Sequence, residues 1–199
     1  MTISKYFCIL LITLVPVSLT YLQAEEINTT LNSTMYINQP LDKAEITVNI
    51  AEQKLYLYKE NHELVKIYEI STSKFGEGST ANSGKTPLGL HHIENKIGAD
   101  AQEGVIFKAR QNTGKLAKIN NETKDLVTTR IMWLKGLEKG KNSGKGIDSY
   151  KRYIYIHGTA AENKIGQQAS HGCVRMLNSE VIELFNLVKE KTLVNIVME

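Results

Sequence analysis

The chain has 199 residues, 42% of them hydrophobic and 23% charged, with three Pro, fourteen Gly and a formal charge of +3. That composition excludes collagen-like, proline-rich or wholly disordered material, and so small a charge gives no sign of a nucleic-acid partner. After residue 24 no apolar run approaches a membrane-spanning length, and the size suits one domain.

Residues 1–24 carry one cation, Lys5, then an apolar stretch from Tyr6 to Leu22, then Ala24 ahead of Glu25 and Glu26. This is the layout of a secretory signal peptide. An uncleaved anchor helix is the alternative; either way the rest of the chain is expected outside the cytoplasm, in the periplasm or cell envelope. Cleavage removes Cys8 and leaves Cys173 as the single thiol. A lone thiol in an exported domain is reactive, intermolecular or a small buried hydrophobe. Residues 25–44 are polar and aperiodic, a linker or N-terminal arm, and 45–199 read as the folded domain. Oligomeric state is not legible, and a monomer is assumed.

From Glu45 the pattern alternates. Ile46, Val48 and Ile50, then Leu55 and Leu57, then Val65, Ile67 and Ile70 mark successive strands, with turns at Ala51-Glu52 and Glu60-Asn61-His62. Leu88–Leu90, Val105–Phe107, Ile131–Leu134, Tyr153–Ile156 and Thr192–Val197 are further strands. Val181, Leu184, Phe185 and Val188 fall at helical spacing behind an Asn178-Ser179 cap. The fold class expected is mainly β (α+β), a mixed sheet with one or two packed helices.

Residues 108–151 hold nine Lys and two Arg against two Glu and two Asp, an excess of seven positive charges. They read as a basic insertion, either a solvated surface excursion or a lid that attracts an anionic substrate. The segment Lys139–Gly146 within it has the composition of a flexible loop. Gly78–Thr86 looks like a phosphate loop but has five residues between its glycines where four are needed. Pro87 then pushes Thr86 toward an extended conformation instead of opening a helix, so no nucleotide is expected.

The chemistry concentrates near the C-terminus, in Tyr153-Ile-Tyr-Ile-His157-Gly158-Thr159 and Ser170-His171-Gly172-Cys173-Val174-Arg175. A thiol attacks as thiolate, and a neutral imidazole within reach can take its proton. His157, at the end of the Tyr153–Ile156 strand, suits a base oriented by the Gly158 carbonyl. In an extended 171–175 segment, His171, Cys173 and Arg175 share a side. Two imidazoles could then approach one sulfur, and the thiol pKa is expected to be depressed. The N–H groups of Gly172 and Cys173 suggest an oxyanion hole. Arg175 is a bidentate carboxylate donor or a partner for an internal carboxylate. Ser170 reads as a local hydrogen-bonder, His91 and His92 as surface or groove residues, and Trp133 as core.

The Ser-His-Gly-Cys-Val-Arg run, with His157 fourteen residues ahead of His171 and Thr86-Pro87-Leu88-Gly89 upstream, resembles the L,D-transpeptidase catalytic domain family (YkuD-type) over about residues 45–197. The resemblance implies a β-rich sandwich in which Cys173 is the nucleophile, His157 the base and Gly158 its orienter. Ser170, His171 and Gly172 would shape the oxyanion site. It further implies peptidoglycan stem peptides as substrates, without cofactor, metal or nucleotide. The acyl group would pass to an amine of a second stem, forming a 3-3 cross-link, or to a wall-linked lipoprotein. Water as acceptor would give an L,D-carboxypeptidase or endopeptidase instead, and the residues do not separate these outcomes. Three rivals remain: a zinc site of His157, His171 and Cys173, which lacks a fourth ligand; a papain-like protease, whose Cys precedes its His; and a non-catalytic wall-binding domain, against which the Cys–His pair argues.

Overall fold

The computed structural model describes residues 40–121 and 125–199; the expected signal segment and most of the expected arm lie outside the described residues. In chain order the elements are β1 (Glu45–Asn49), β2 (Lys54–Lys59), β3 (Glu63–Glu69), β4 (Gly89–Ile97), β5 (Val105–Lys108), β6 (Gln111–Leu116), β7 (Val127–Gly136), β8 (Tyr155–Thr159), β9 (Val174–Met176), α1 (Asn178–Leu187) and β10 (Leu193–Val197). One sheet runs β3-β2-β1-β10-β4-β7-β5-β6, and β8 pairs with both β7 and β9. The β1–β10 and β8–β9 pairs are parallel, which makes the sheet mixed. Ser71, just past β3, exchanges two backbone hydrogen bonds of 2.9 Å with Arg175 of β9. The β3 end of this path therefore meets the β8–β9 branch, and the sheet curls around its own core.

Side-chain alternation divides that sheet into two apolar clusters. Along β7, Met132 and Leu134 enter the main core with Ile46, Leu57, Ile156, Val174 and the α1 residues Val181 and Leu184. Ile131 and Trp133, on the opposite face, pack with Val105, Phe107, Tyr155 and Cys173. α1 lies behind its apolar stripe as the helical spacing predicts. Its expected cap is absent, for Leu177 is the residue before the helix and offers no side-chain bond. Asn178 is instead a buried hub, and the carboxylate of Glu162 accepts its backbone N–H at 2.9 Å, placing a negative charge at the helix start. At the other end Lys96 Nζ donates to the carbonyls of Phe185 and Val188.

Three expectations are corrected. In β3 the inward residues are Lys66 and Tyr68, not Val65 and Ile67, which are exposed. A carboxylate on α1, Glu183, receives Lys66 Nζ at 2.6 Å and the Tyr68 hydroxyl at 3.3 Å, and this sets the strand's phase. Residues 108–151 are not an insertion, because they include β6 and the central strand β7. The expected flexible loop is pinned: Asn142 is fully buried, and its Nδ2 donates to the carbonyls of Leu88 (2.9 Å) and Leu90 (3.1 Å). β6 had no apolar signal and is exposed throughout; pairing with β5 alone defines it.

His91 is not a surface residue. It is fully buried in β4, where Nδ1 donates to Gly89 O at 2.8 Å and Nε2 lies 2.9 Å from Ser149 Oγ. Burial is the chief cause that lowers its pKa from 6.5 to about 4, against an opposing pull from the Gly89 carbonyl. A depressed value means that the unfolded chain binds this proton first, so stability held above pH 6.5 is lost as pH falls toward 4. His91→Gln should remove that part of the pH dependence. In chemical denaturation, the stability lost between pH 7 and pH 4.5 is expected to be about 2 kcal/mol smaller for the variant than for the wild type.

Candidate active site

β8 and β9 are in parallel register, with Ile156 opposite Val174 and His157 opposite Arg175. Ile156 and Val174 turn into the main core, so Tyr155, His157, Cys173 and Arg175 turn to the other face. His157 is therefore in the middle of β8 rather than at a strand end, because pairing with β7 continues to Thr159. Ser170–Cys173 form a tight bend ahead of β9 instead of an extended run.

The His157 ring is buried, and its Nδ1 donates to the carbonyl of Gly158 at 2.7 Å. That bond fixes the neutral tautomer with a bare Nε2, the form a base requires. Burial lowers the ring's pKa; the Asp125 charge and the Gly158 carbonyl oppose this, and Arg175 adds to it. Position 158 has no room for a side chain, since a Cβ there would stand 2.5 Å from Asn178 Oδ1. The same Asn178 accepts the Thr128 hydroxyl at 2.6 Å and that of Thr129, and donates to Thr159 O at 2.8 Å. The helix start thus clamps the backbone that orients the imidazole.

Cys173 is half-buried as a residue, and its sulfur has two backbone partners. It accepts the Tyr155 N–H and donates to Tyr153 O, each at 3.4 Å. Among the described residues no imidazole is hydrogen-bonded to it. The expected depressed pKa is overturned: burial pushes the thiol up to about 12, the Tyr155 N–H pulls down, Asp125 pushes up, and Arg175 and Arg152 pull down. In this resting arrangement both thiol and His157 are uncharged.

The flanking residues are tied down locally. Ser170 Oγ donates to Cys173 O at 2.6 Å and accepts the Gly172 N–H at 3.2 Å. Of the two expected oxyanion donors, Gly172 is therefore engaged within the bend. Thr86, the threonine of the upstream Thr-Pro-Leu-Gly, donates to Gly172 O at 3.0 Å and accepts the Ser73 N–H at 3.1 Å. Gly172 has φ +120, and a Cβ would meet Lys85 O at 3.2 Å, so the bend requires glycine.

His171 does not join His157 at the sulfur. Its ring is exposed, 5.7 Å from that of Phe75, and Nδ1 lies 2.8 Å from Asp125 Oδ2. Arg175, only 4% exposed, places Nη2 2.5 Å from the same oxygen. Arg175 is thus an internal ion-pair partner and not a free donor for a substrate carboxylate. At Asp125 burial works to raise the pKa, but the hydrogen bond and charge of Arg175, with the hydrogen bond from His171, hold the carboxyl below its ordinary range.

A cleft of about 400 Å³ is lined by Asn82, Gly84, Arg152, Tyr153, Ile154 and His171, and Tyr153 links it to the thiol through its carbonyl. Arg152 braces its wall by donating to Lys85 O at 2.6 Å and Gly78 O at 3.2 Å. Tyr153 lies outside β8 at φ +59, a left-handed conformation unusual for a bulky residue. That turn aims its carbonyl at the sulfur. Trp133, packed partly buried against the second apolar cluster, also stacks on Tyr150 (centroids 3.9 Å apart) beneath Arg110 at 4.7 Å. Arg110 belongs to the basic stretch, at the turn between β5 and β6. Asp125, Arg152 and Tyr153 escaped the sequence reading; Asp125 is 46 residues from His171 and carries no local signal. Among the described residues no three His, Cys, Asp or Glu side chains are grouped as a metal would need.

With this geometry in hand, comparison with known proteins is specific. The family described as the L,D-transpeptidase catalytic domain (YkuD) matches residues 43–196. The chain is 28% identical over 156 residues to the probable L,D-transpeptidase ErfK/SrfK of Salmonella typhimurium, covering 76% of this chain and 43% of that protein. It is 37% identical over 65 residues to the putative L,D-transpeptidase YkuD of Bacillus subtilis, covering 30% and 40%. The chain thus spans less than half the length of these curated relatives. Among solved structures, L,D-transpeptidase 3 from Mycobacterium tuberculosis superposes with a TM-score of 0.48 at 12% identity, over 77% of this chain and 60% of that one. The match across residues 43–196 takes in β1 to β10, the thiol and both histidines, and by it the chain belongs to the YkuD family of L,D-transpeptidase catalytic domains.

Proposed function

We propose that this protein is a cysteine acyltransferase acting on peptidoglycan stem peptides, with Cys173 as nucleophile and His157 as base. The observation that carries the reading is that His157 lies in β8 and Cys173 in the bend that enters the adjacent β9, with Tyr155 N–H on the sulfur and His157 Nδ1 tied to Gly158 so that Nε2 is bare. Family membership supports the substrate class, and the half-buried Cys173, whose sulfur bonds the carbonyl of the cleft residue Tyr153, supports access.

The chemistry follows from the resting charges. Because the thiol starts protonated, it gives its proton to His157 Nε2 as the sulfur attacks the carbonyl of the third stem residue, rather than waiting as a stored thiolate. The oxyanion so formed faces the backbone N–H of Cys173, which among the described residues donates to no protein acceptor. Collapse breaks the C–N bond, and the departing D-residue amine takes the proton from His157. The amine of a second stem, or of a wall-linked lipoprotein lysine, then attacks the thioester. Its proton passes through His157 back to the sulfur, leaving a new amide and a restored thiol. The cationic Arg110, Lys108 and Lys115 around the β5–β6 turn support attraction of an anionic wall polymer. Residues 1–24 support export to the envelope, where that polymer lies.

Purified tetrapeptide muropeptides with product masses test the reading. Cross-linked dimers support transfer, shortened stems indicate hydrolysis, and unchanged material overturns the proposal. Cys173→Ala and His157→Ala should each fold and lose at least about 100-fold in turnover; retained turnover in either removes that residue from the mechanism. A solved relative is described as an L,D-transpeptidase in complex with imipenem. A carbapenem is accordingly expected to acylate this protein, adding its mass to the Cys173 peptide and not to the corresponding Cys173→Ala peptide. Iodoacetamide, a small electrophile without the substrate's contacts, should alkylate Cys173 at pH 7 more slowly than it does free cysteine, because the thiol is held protonated.

A further inference from the structure

Asp125 stands in the segment leading into β7, and nothing in the Ser-His-Gly-Cys signature points to it. One carboxylate oxygen, Oδ2, is shared between His171 Nδ1 at 2.8 Å and Arg175 Nη2 at 2.5 Å. A carboxylate is acceptor-only, so each of those nitrogens carries the hydrogen. Arg175 is buried and lies directly across the β8–β9 ladder from His157, on the same face. The guanidinium is thus a fixed positive charge beside the base, and Asp125 is the counter-charge among the described residues that contacts it. Its Nε has no partner of its own, so the carboxylate is its one side-chain acceptor there.

We propose that Asp125 is a positioning residue of the thiol site. Its carboxylate, shared by His171 and the buried Arg175, holds the His171 ring in the Nδ1–H tautomer at the cleft rim and neutralises the guanidinium, so that His157 can accept the thiol proton.

The physical reason is the sign of the neighbouring charges. His157 faces Arg175 from β9, Asp125 from the segment before β7, and Tyr155 from its own strand. Of these, Arg175 alone is a cation, and it disfavours imidazolium. Thiol-to-imidazole transfer breaks S–H, forms N–H and turns a neutral pair into an ion pair. Against an unopposed guanidinium the imidazolium half would be disfavoured. With Oδ2 on the guanidinium the local charge is balanced, and His171 Nε2 is left free at the cleft, where a substrate group can meet it.

This deepens the acyl-transfer reading and rests on it only for the turnover measurement. The test compares the full-length wild type with Asp125→Asn and Asp125→Glu. In Asp125→Asn the negative charge is gone, and the NMR titration midpoint of the His157 ring should fall by about one pH unit. The acid limb of kcat/KM on tetrapeptide muropeptides should move the same way, with Asp125→Glu restoring both toward wild type. A merely structural role gives a different sign, for loosening the site would expose the ring and raise its midpoint. An unmoved or raised midpoint in folded Asp125→Asn overturns the proposal. Should that variant not fold, the His171 tautomer in the wild type decides by nitrogen NMR: Nδ1–H supports the assignment and Nε2–H overturns it. Both NMR arms need no turnover, so an inactive wild type with a shifted midpoint counts against the acyl-transfer reading alone.

Discussion

Parallel pairing of β8 with β9 is the constraint on which the site depends. Side chains alternate across a strand, so Ile156 and Val174 in the core oblige His157, Tyr155 and Arg175 to face the other way, with Cys173 one step before the ladder. A slip of one residue in this register would carry the imidazole into hydrocarbon and bring isoleucine to the cleft. The register is held from both flanks. β7 pairs with β8 on one side, and Ser71 exchanges two hydrogen bonds with Arg175 on the other. The apolar residues of β8 and β9 therefore matter to the chemistry because they decide which face the polar ones occupy.

The second layer of the design is control of the bend that carries the thiol. Gly172, Ser170 and Thr86 form a short chain of hydrogen bonds, anchoring the Gly172 carbonyl to one strand entrance and its N–H to the adjacent serine hydroxyl. Asn178 does the equivalent work under Gly158, where the approach is too close for any side chain. Two glycines are needed for the same reason, close backbone approach, and they flank the sulfur and the His157 imidazole. Tyr153, held at positive φ, adds a strained turn that contributes its carbonyl and not only its ring.

Electrostatically the site is quiet at rest. Burial raises the thiol and lowers the imidazole, and both effects favour the uncharged pair. Beside His157 the Asp125–Arg175 pair is internally compensated and tied to His171. A sulfur kept protonated is less open to adventitious oxidation than a thiolate would be.

Much of this was legible in the chain itself. The strand alternation from Ile46 to Leu57, the apolar stripe of α1 and the His-Gly and Ser-His-Gly-Cys runs are local patterns, and local patterns survive folding because backbone geometry alone imposes them. The sequence also bore the family signature, in which Cys173, His157 and His171 fall. Other features waited on the tertiary structure. The phase of β3 was decided by Glu183 on α1, the depth of His91 by Ser149, and the pinning of Lys139–Gly146 by Asn142 beneath β4. Asp125 met Arg175 and His171 only because β7 and β9 flank β8. Each of these depends on groups distant in the chain that share a low-dielectric interior. No window of sequence contains both partners, so burial, charge balance and the protonation of Cys173 were set by the fold.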